Sequence, residues 1–187
     1  MIVYRLARHE MRLFAGLALW LARRTEGTTG GRVFGYARGQ GATLLGLAFV
    51  CLVETVGVAV MLRDMPLAHD VMLVLDIYTV LLVVALHAAG AVRPHVLTAD
   101  ALRVRYGAQV DLRIPRTAIA AVRRETRMTH EPAPDALDLA VGSQTTVTLE
   151  LAEPVVHTTV LGRRRRVRVV RLYADDTAGL VRALAPG

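Results

Sequence analysis

Lysine is absent from this 187-residue chain, so all 23 basic side chains are arginine and the formal charge of +7 is wholly guanidinium. That bias reads as the imprint of a GC-rich genome, with selection for guanidinium chemistry as the alternative. Cysteine occurs once, at Cys51 inside a long apolar run, which excludes an intramolecular disulfide and a thiol-based zinc cluster. Serine also occurs once. Ser143 sits in a predicted turn outside any Gly-x-Ser-x-Gly elbow, so nucleophilic catalysis lacks a residue to carry it. The histidines at 9, 69, 87, 95, 130 and 157 are scattered without the paired spacing of a zinc site. Gly39, Gly41 and Gly46 lead into an apolar segment instead of joining a strand to a soluble helix, so they are no nucleotide loop. No enzyme, metal centre or cofactor is expected.

What the chain does have is apolar residues, at 53%, with a mean hydropathy of +0.40. Both are high for a soluble protein, and two long runs account for the excess. The run 42–62 is interrupted only by Thr43, Glu54 and Thr55, and the run 71–92 only by Asp76, Thr79 and His87. Each matches the roughly 20 residues that cross a hydrocarbon core about 30 Å thick. The short connector, Arg63 to Asp70, contains Pro66, so the two predicted spans form an antiparallel hairpin. Arg23, Arg24, Arg32 and Arg38 precede it and Arg93 follows it, against only Arg63 in the connector. The positive-inside rule then puts both termini in the cytoplasm.

The segment Met1 to Ala22 reads as a helix, with Arg5, Arg8, His9 and Arg12 at helical spacing and Leu6, Leu13, Leu17 and Trp20 supplying apolar surface. It is followed by Arg23-Arg24 instead of a small-residue cleavage site, so it is expected to stay attached. Two environments suit it: the cytoplasmic leaflet, arginines to the headgroups, or the chain's own soluble domain. Thr25 to Gly41, rich in glycine and threonine, reads as a flexible link.

After Pro94 the pattern changes to alternation. Leu102, Val104 and Tyr106 alternate with Arg103 and Arg105, and Val110, Leu112 and Ile114 with Asp111 and Arg113, the period of half-buried strands. Tyr106 to Gln109 supplies their turn. Leu137 to Val141 and Val147 to Leu151 predict a further hairpin joined at Gly142-Ser143. Thr158 to Val160 and Val167 to Tyr173 add more strand, with a bulge or a strand buried on both faces expected at Val169-Val170, where two apolar residues adjoin. Asp175 or Asp176 is placed to cap a closing helix through Leu180, Val181 and Leu184.

Particular residues in this half resemble the bacterial pleckstrin-homology-like domains of small membrane proteins. They are Arg93-Pro94, Leu97-Thr98, Asp100, Leu102 to Arg105, Tyr106-Gly107, Ile114-Pro115 leading to Ile119 and Val122, and Arg171 to Asp176 before a helix. The resemblance covers roughly Pro94 to Pro186; the arginine run and the loop Pro132 to Asp135 depart from it. It implies a curved, barrel-like antiparallel sheet plugged by a C-terminal helix, and a role as a membrane-anchored scaffold or interaction module. Fold alone does not settle function.

Two sets of residues stand out as candidate sites. Glu54 lies about 18 Å and Asp76 about 24 Å from the cytoplasmic end of their spans, close enough in depth to face each other. A carboxylate in hydrocarbon costs several kcal/mol. The pair is expected either to be protonated and bonded to Thr55, Thr79 or Tyr78, steadying the hairpin or a homo-oligomer, or to form a proton or ion path continued by His87. The second set is the arginine run Arg163, Arg164, Arg165 and Arg166, with Arg168 and Arg171. Near an anionic leaflet each contributes roughly 1 kcal/mol; the alternative is a solvated hairpin tip. Few aromatics accompany the run, so nucleic acid is not expected.

Sequence alone thus predicts an α+β membrane protein of three parts: an interfacial helix and link at 1–41, a transmembrane hairpin at 42–93, and a cytoplasmic pleckstrin-homology-like barrel or sandwich at 94–187. It is read as a non-enzymatic inner-membrane scaffold whose partner is another protein, membrane-bound or cytoplasmic, or anionic lipid. An oligomeric proton or ion pathway on Glu54, Asp76 and His87 is the competing expectation.

Overall fold

The computed structural model describes residues 2–129, 133–160 and 162–185, apart from the side chains of residues 2, 3, 5, 6, 42 and 45. His130, Pro132 and the side chains of Arg5 and Leu6, singled out above, fall outside the described residues. Three helices lie in the first half of the chain, with one short strand between the first and second. Helix α1 covers Ile2–Leu21, α2 Gly41–Met61 and α3 Pro66–Val92. Helix α1 stops where Arg23 takes a left-handed φ of 54°, and Arg24 N–H returns to Leu19 O at 2.9 Å. Pro66 stands in the first turn of α3, where a missing N–H costs nothing. The expected connector is therefore shorter than the sequence suggested, and α3 starts five residues before the predicted span.

Of these helices, α3 alone is long and apolar enough among the described residues to cross a membrane; the apolar stretch described for α2 is the shorter Gly46–Met61. The expectation of two equivalent spans is thus met by one helix. Both helices leave large apolar side chains open, among them Phe49, Leu52 and Val60 on α2 and Val71, Val74 and Ile77 on α3. The C-terminal third of α3 differs: Val83, Ala85, Ala88, Ala89, Gly90 and Val92 are buried.

The remainder is α+β, with two four-stranded sheets around one core. The first sheet is ordered β1 (Arg32–Phe34), β2 (His95–Leu97), β3 (Ala101–Tyr106) and β4 (Val110–Pro115), all antiparallel. The alternation read from the sequence appears as Leu102, Val104, Leu112 and Ile114 buried, with Arg103 and Arg113 outside, but it fails at Arg105, which is buried. Gln109 N–H closes the turn on Tyr106 O at 3.0 Å. The stretch expected to be a flexible link contributes β1, because Phe34 and Tyr36 are buried and hold it to the sheet.

The second sheet comprises β5 (Ile119–Arg127), β6 (Ala136–Leu139), β7 (Thr145–Thr158) and β8 (Arg164–Leu172), in the order β5-β7-β8-β6. The turn at Gly142-Ser143 forms, with both residues at positive φ (56° and 63°) and Val141 and Gln144 bridged across it, the backbone of a two-residue hairpin loop. The strands it was expected to pair do not pair. Strand β7 has β5 on one edge and β8 on the other, so β6 lies parallel along the free edge of β8. The slip expected at Val169-Val170 is taken up across the ladder: β8 runs on, and the irregularity lies on β7 between Glu150 and Val155, opposite Val167 to Val169, while Val169 is half-buried and Val170 buried. Helix α4 (Thr177–Leu184) is capped by Asp176, whose carboxylate accepts Gly179 N–H at 2.8 Å, and it plugs the core with Leu180 and Leu184.

One buried polar knot ties the halves together. His95, 1% exposed, accepts Arg105 N–H at Nδ1 and donates from Nε2 to Tyr173 O, both at 3.1 Å; this fixes the neutral Nε2–H tautomer. Tyr36 stacks on its ring at 4.8 Å and accepts Gly107 N–H at 2.7 Å. Burial pushes the Tyr36 hydroxyl up to about 12 and the His95 imidazole down to about 4. Below about pH 6.5 the unfolded chain binds a proton at His95 that the folded chain refuses until about pH 4, so stability falls with pH across that window. Between about pH 6.5 and pH 5 the loss is about 2 kcal/mol at 1.36 kcal/mol per unit. The expected outcome is a falling Tm over this range by thermal denaturation in detergent, with His95→Gln flattening the slope.

Candidate functional site

Helix α1 reaches the sheets by way of α3. Leu13 is buried with Ala85 and Ala89, and Phe14 and Leu17 pack beside them. The helices approach closely at Gly16, where an added Cβ would lie 3.2 Å from Ala89 Cα. Trp20 meets His87 edge-on, ring centroids 6.2 Å apart. Glu10 accepts a hydrogen bond from Tyr78. The apolar face expected either among acyl chains or on the soluble domain is thus turned to α3. Beyond the helix, Glu26 N–H donates to Val92 O at 2.8 Å, and Arg93 pairs with the Glu26 carboxylate at 2.7 Å.

With one face committed to α3, the stripe Tyr4, Arg8 and Arg12, at intervals of four, borders a cleft with His9. The opposite wall is the β3–β4 turn, with Ala108, Gln109 and Asp111, and the tip of the β7–β8 hairpin, with Thr158, Thr159, Val160, Gly162 and Arg164. Its volume is about 620 Å³. Asp111 is already engaged: Arg103 donates to it at 2.6 and 2.5 Å and buried Arg105 lies 3.9 Å away. Burial pushes the Asp111 carboxyl up, but the Arg103 hydrogen bonds and the surrounding guanidinium charges outweigh it, leaving the group below its ordinary range. Among the described residues, Arg8, Arg12 and Arg164 form no ion pair. The cleft therefore holds three uncompensated positive charges from two elements, suited to binding an anion.

The arginine run does not act as one patch. Arg163, Arg164, Arg165, Arg166 and Arg168 are all exposed, but only Arg164 lines the cleft. Arg165 turns to the carbonyls of Ala133 and Pro134 at 3.1 and 3.3 Å and stands opposite buried His157, whose imidazole is pushed down by burial and then by that charge. Arg171 pairs with Asp138 at 3.0 Å. The cleft was invisible to sequence reasoning because α1 meets residues 108–111 and 158–164, far along the chain; the signal for its helical wall was the 4-8-12 spacing.

The candidates Glu54, Asp76 and His87 do not share one cavity. Glu54 is exposed on the outside of α2, while half-buried Asp76 turns into a crevice lined by Thr55, Val58, Ala59, His69 and Leu73. The hydroxyls expected to receive these acids bond elsewhere: Thr55 to Cys51 O at 2.8 Å, Thr79 to Leu75 O at 2.9 Å, and Tyr78 to Glu10. His87 borders a separate cavity of about 340 Å³ with Gln40, Leu44, Gly90 and Tyr106; its Nδ1 is buried without a partner among the described residues. Also among the described residues, no cluster of His, Cys, Asp or Glu is arranged to hold a metal ion.

Because α1 sets one wall of the cleft, overpacking its crossing with α3 is expected to displace it. Gly16→Leu should cost about 1–3 kcal/mol and shift the emission of Trp20, the only tryptophan, to longer wavelength; an unchanged spectrum would contradict the packing. In comparisons with known proteins, the chain matches no family model, no curated protein and no solved structure.

Proposed function

We propose that the protein is a non-enzymatic interaction module of the bacterial pleckstrin-homology-like kind. In this reading α2 and α3 form a hairpin in the inner membrane, both termini are cytoplasmic, and the sheets lie against the inner leaflet. The observation that carries it is the position of the basic cleft: the helix that supplies Arg8 and Arg12 is packed on α3, the helix with the length and apolarity of a span. Charge and grease are thus built side by side, as a protein held at an anionic surface requires. Support for the fold assignment comes from the two sheets, the plugging helix α4 and the short step from α3 through Arg93-Pro94 into β2. The open apolar side chains of α2 and α3 support the hairpin, since a surface of that kind is stable in hydrocarbon and costly in water.

The test has two steps. The protein is expected to stay in the membrane pellet after an alkaline carbonate wash. Reconstituted into nanodiscs, the amides of residues 158–164 should exchange hydrogen at least about tenfold more slowly on anionic than on neutral lipid, given roughly 1 kcal/mol for each of three arginines. Release by carbonate would sink the anchor, and equal exchange on both lipids would sink the anionic-surface reading.

A further inference from the structure

Building on the headgroup reading above, we infer that the cleft between α1 and the β7–β8 tip is a site for a phosphate monoester, a terminal dianionic phosphate, and not a general landing surface for phosphodiester lipids. The first argument is charge. Arg8, Arg12 and Arg164 line one cavity, where the single acid among the described residues, Asp111, is already paired with Arg103. A diester monoanion would leave two of the three guanidiniums uncompensated, whereas a dianion answers most of the field. The second argument is geometry. Arginine presents planar paired donors that match phosphate oxygens, and here they come from two opposed walls, so a group with three terminal oxygens can be gripped from both sides. A diester exposes only two such oxygens. The third is the remaining donors. Thr159 Oγ1 accepts Arg163 N–H at 3.1 Å, which leaves its hydroxyl proton to donate, and Thr158 and Tyr4 also line the cavity. At about 620 Å³ the space exceeds a bare phosphate and accommodates the group that bears it. The second proton of a phosphate monoester has a pKa near 6 in water, and neighbouring guanidiniums lower it further, so the dianion is the form present at neutral pH.

The phosphate has two possible sources, a lipid headgroup or a soluble molecule, and the experiment separates them. The full chain in mild detergent is offered equal amounts of phosphatidic acid and phosphatidylglycerol, and the retained lipid is read by native mass spectrometry. Phosphatidic acid should be retained about tenfold over phosphatidylglycerol, and Arg12→Gln combined with Arg164→Gln should abolish the preference. Both side chains are exposed, so the variant should fold; Trp20 emission identical to the parent verifies it. Loss of the bound lipid on adding millimolar inorganic phosphate supports a soluble source, and persistence supports a lipid. Equal retention of the two lipids, with both lost in the double variant, overturns the monoester assignment while leaving the anionic-headgroup reading intact. Retention of neither lipid, with no phosphate bound by equilibrium dialysis, overturns both.

Discussion

The rest of the structure depends on where one buried guanidinium finds its partners. Arg105 is only 3% exposed, and a buried charge without hydrogen bonds costs several kcal/mol. Its partners are the carbonyls of Glu26 and Gly27, at 2.6 and 3.2 Å, on the segment that follows α1. Burial and then the Arg103 charge push the guanidinium down, yet it stays charged because no arginine deprotonates in this range. The chain after α1 must therefore return to the first sheet, and Glu26 does so while also binding Val92 and Arg93 at the end of α3. The orientation of α1, and with it one wall of the basic cleft, follows from that requirement.

Helix α3 answers the same constraint from the apolar side. Its first two thirds present large, open side chains such as Val71, Val74 and Ile77, while its last third is small and buried at Ala85, Ala88, Ala89 and Gly90. Small residues let backbones approach, so α1 crosses at Ala89, and Tyr36 fits against Gly90, where an added Cβ would lie 3.5 Å from its ring. One continuous helix thus carries a surface suited to hydrocarbon at one end and a protein interface at the other.

The parts legible in the sequence were those encoded by neighbours in the chain. The β3–β4 hairpin announces itself through alternation from Leu102 to Ile114, α4 through the Asp176 cap, and α3 through a long apolar run with few polar interruptions. Strand β1 was not legible because three residues cannot display a period. The partner of β6 was not legible because the local signal, two positive-φ residues at Gly142-Ser143, specifies a turn but not which strand will occupy the far edge of β8. Glu10, bonded to Tyr78 across 68 positions, and the cleft itself belong to the same class: long-range meetings that no window of sequence contains.

The cleft also resolves an apparent contradiction in the distribution of charge. Four consecutive arginines look like the strongest electrostatic feature of the chain, yet on a strand successive side chains leave on opposite faces, so Arg164 and Arg165 have different neighbours. The 4-8-12 stripe of α1 is sparser in sequence but focused in space. It is also locally unfavourable, since like charges four apart on a helix destabilise it by about 0.2–0.5 kcal/mol and no ion pair relieves Arg8 or Arg12 among the described residues. Places where a sequence breaks a local rule without a compensating contact inside the fold are where an external partner is to be sought. Here that place is the cleft between α1 and the β7–β8 tip, which Arg8, Arg12 and Arg164 line together.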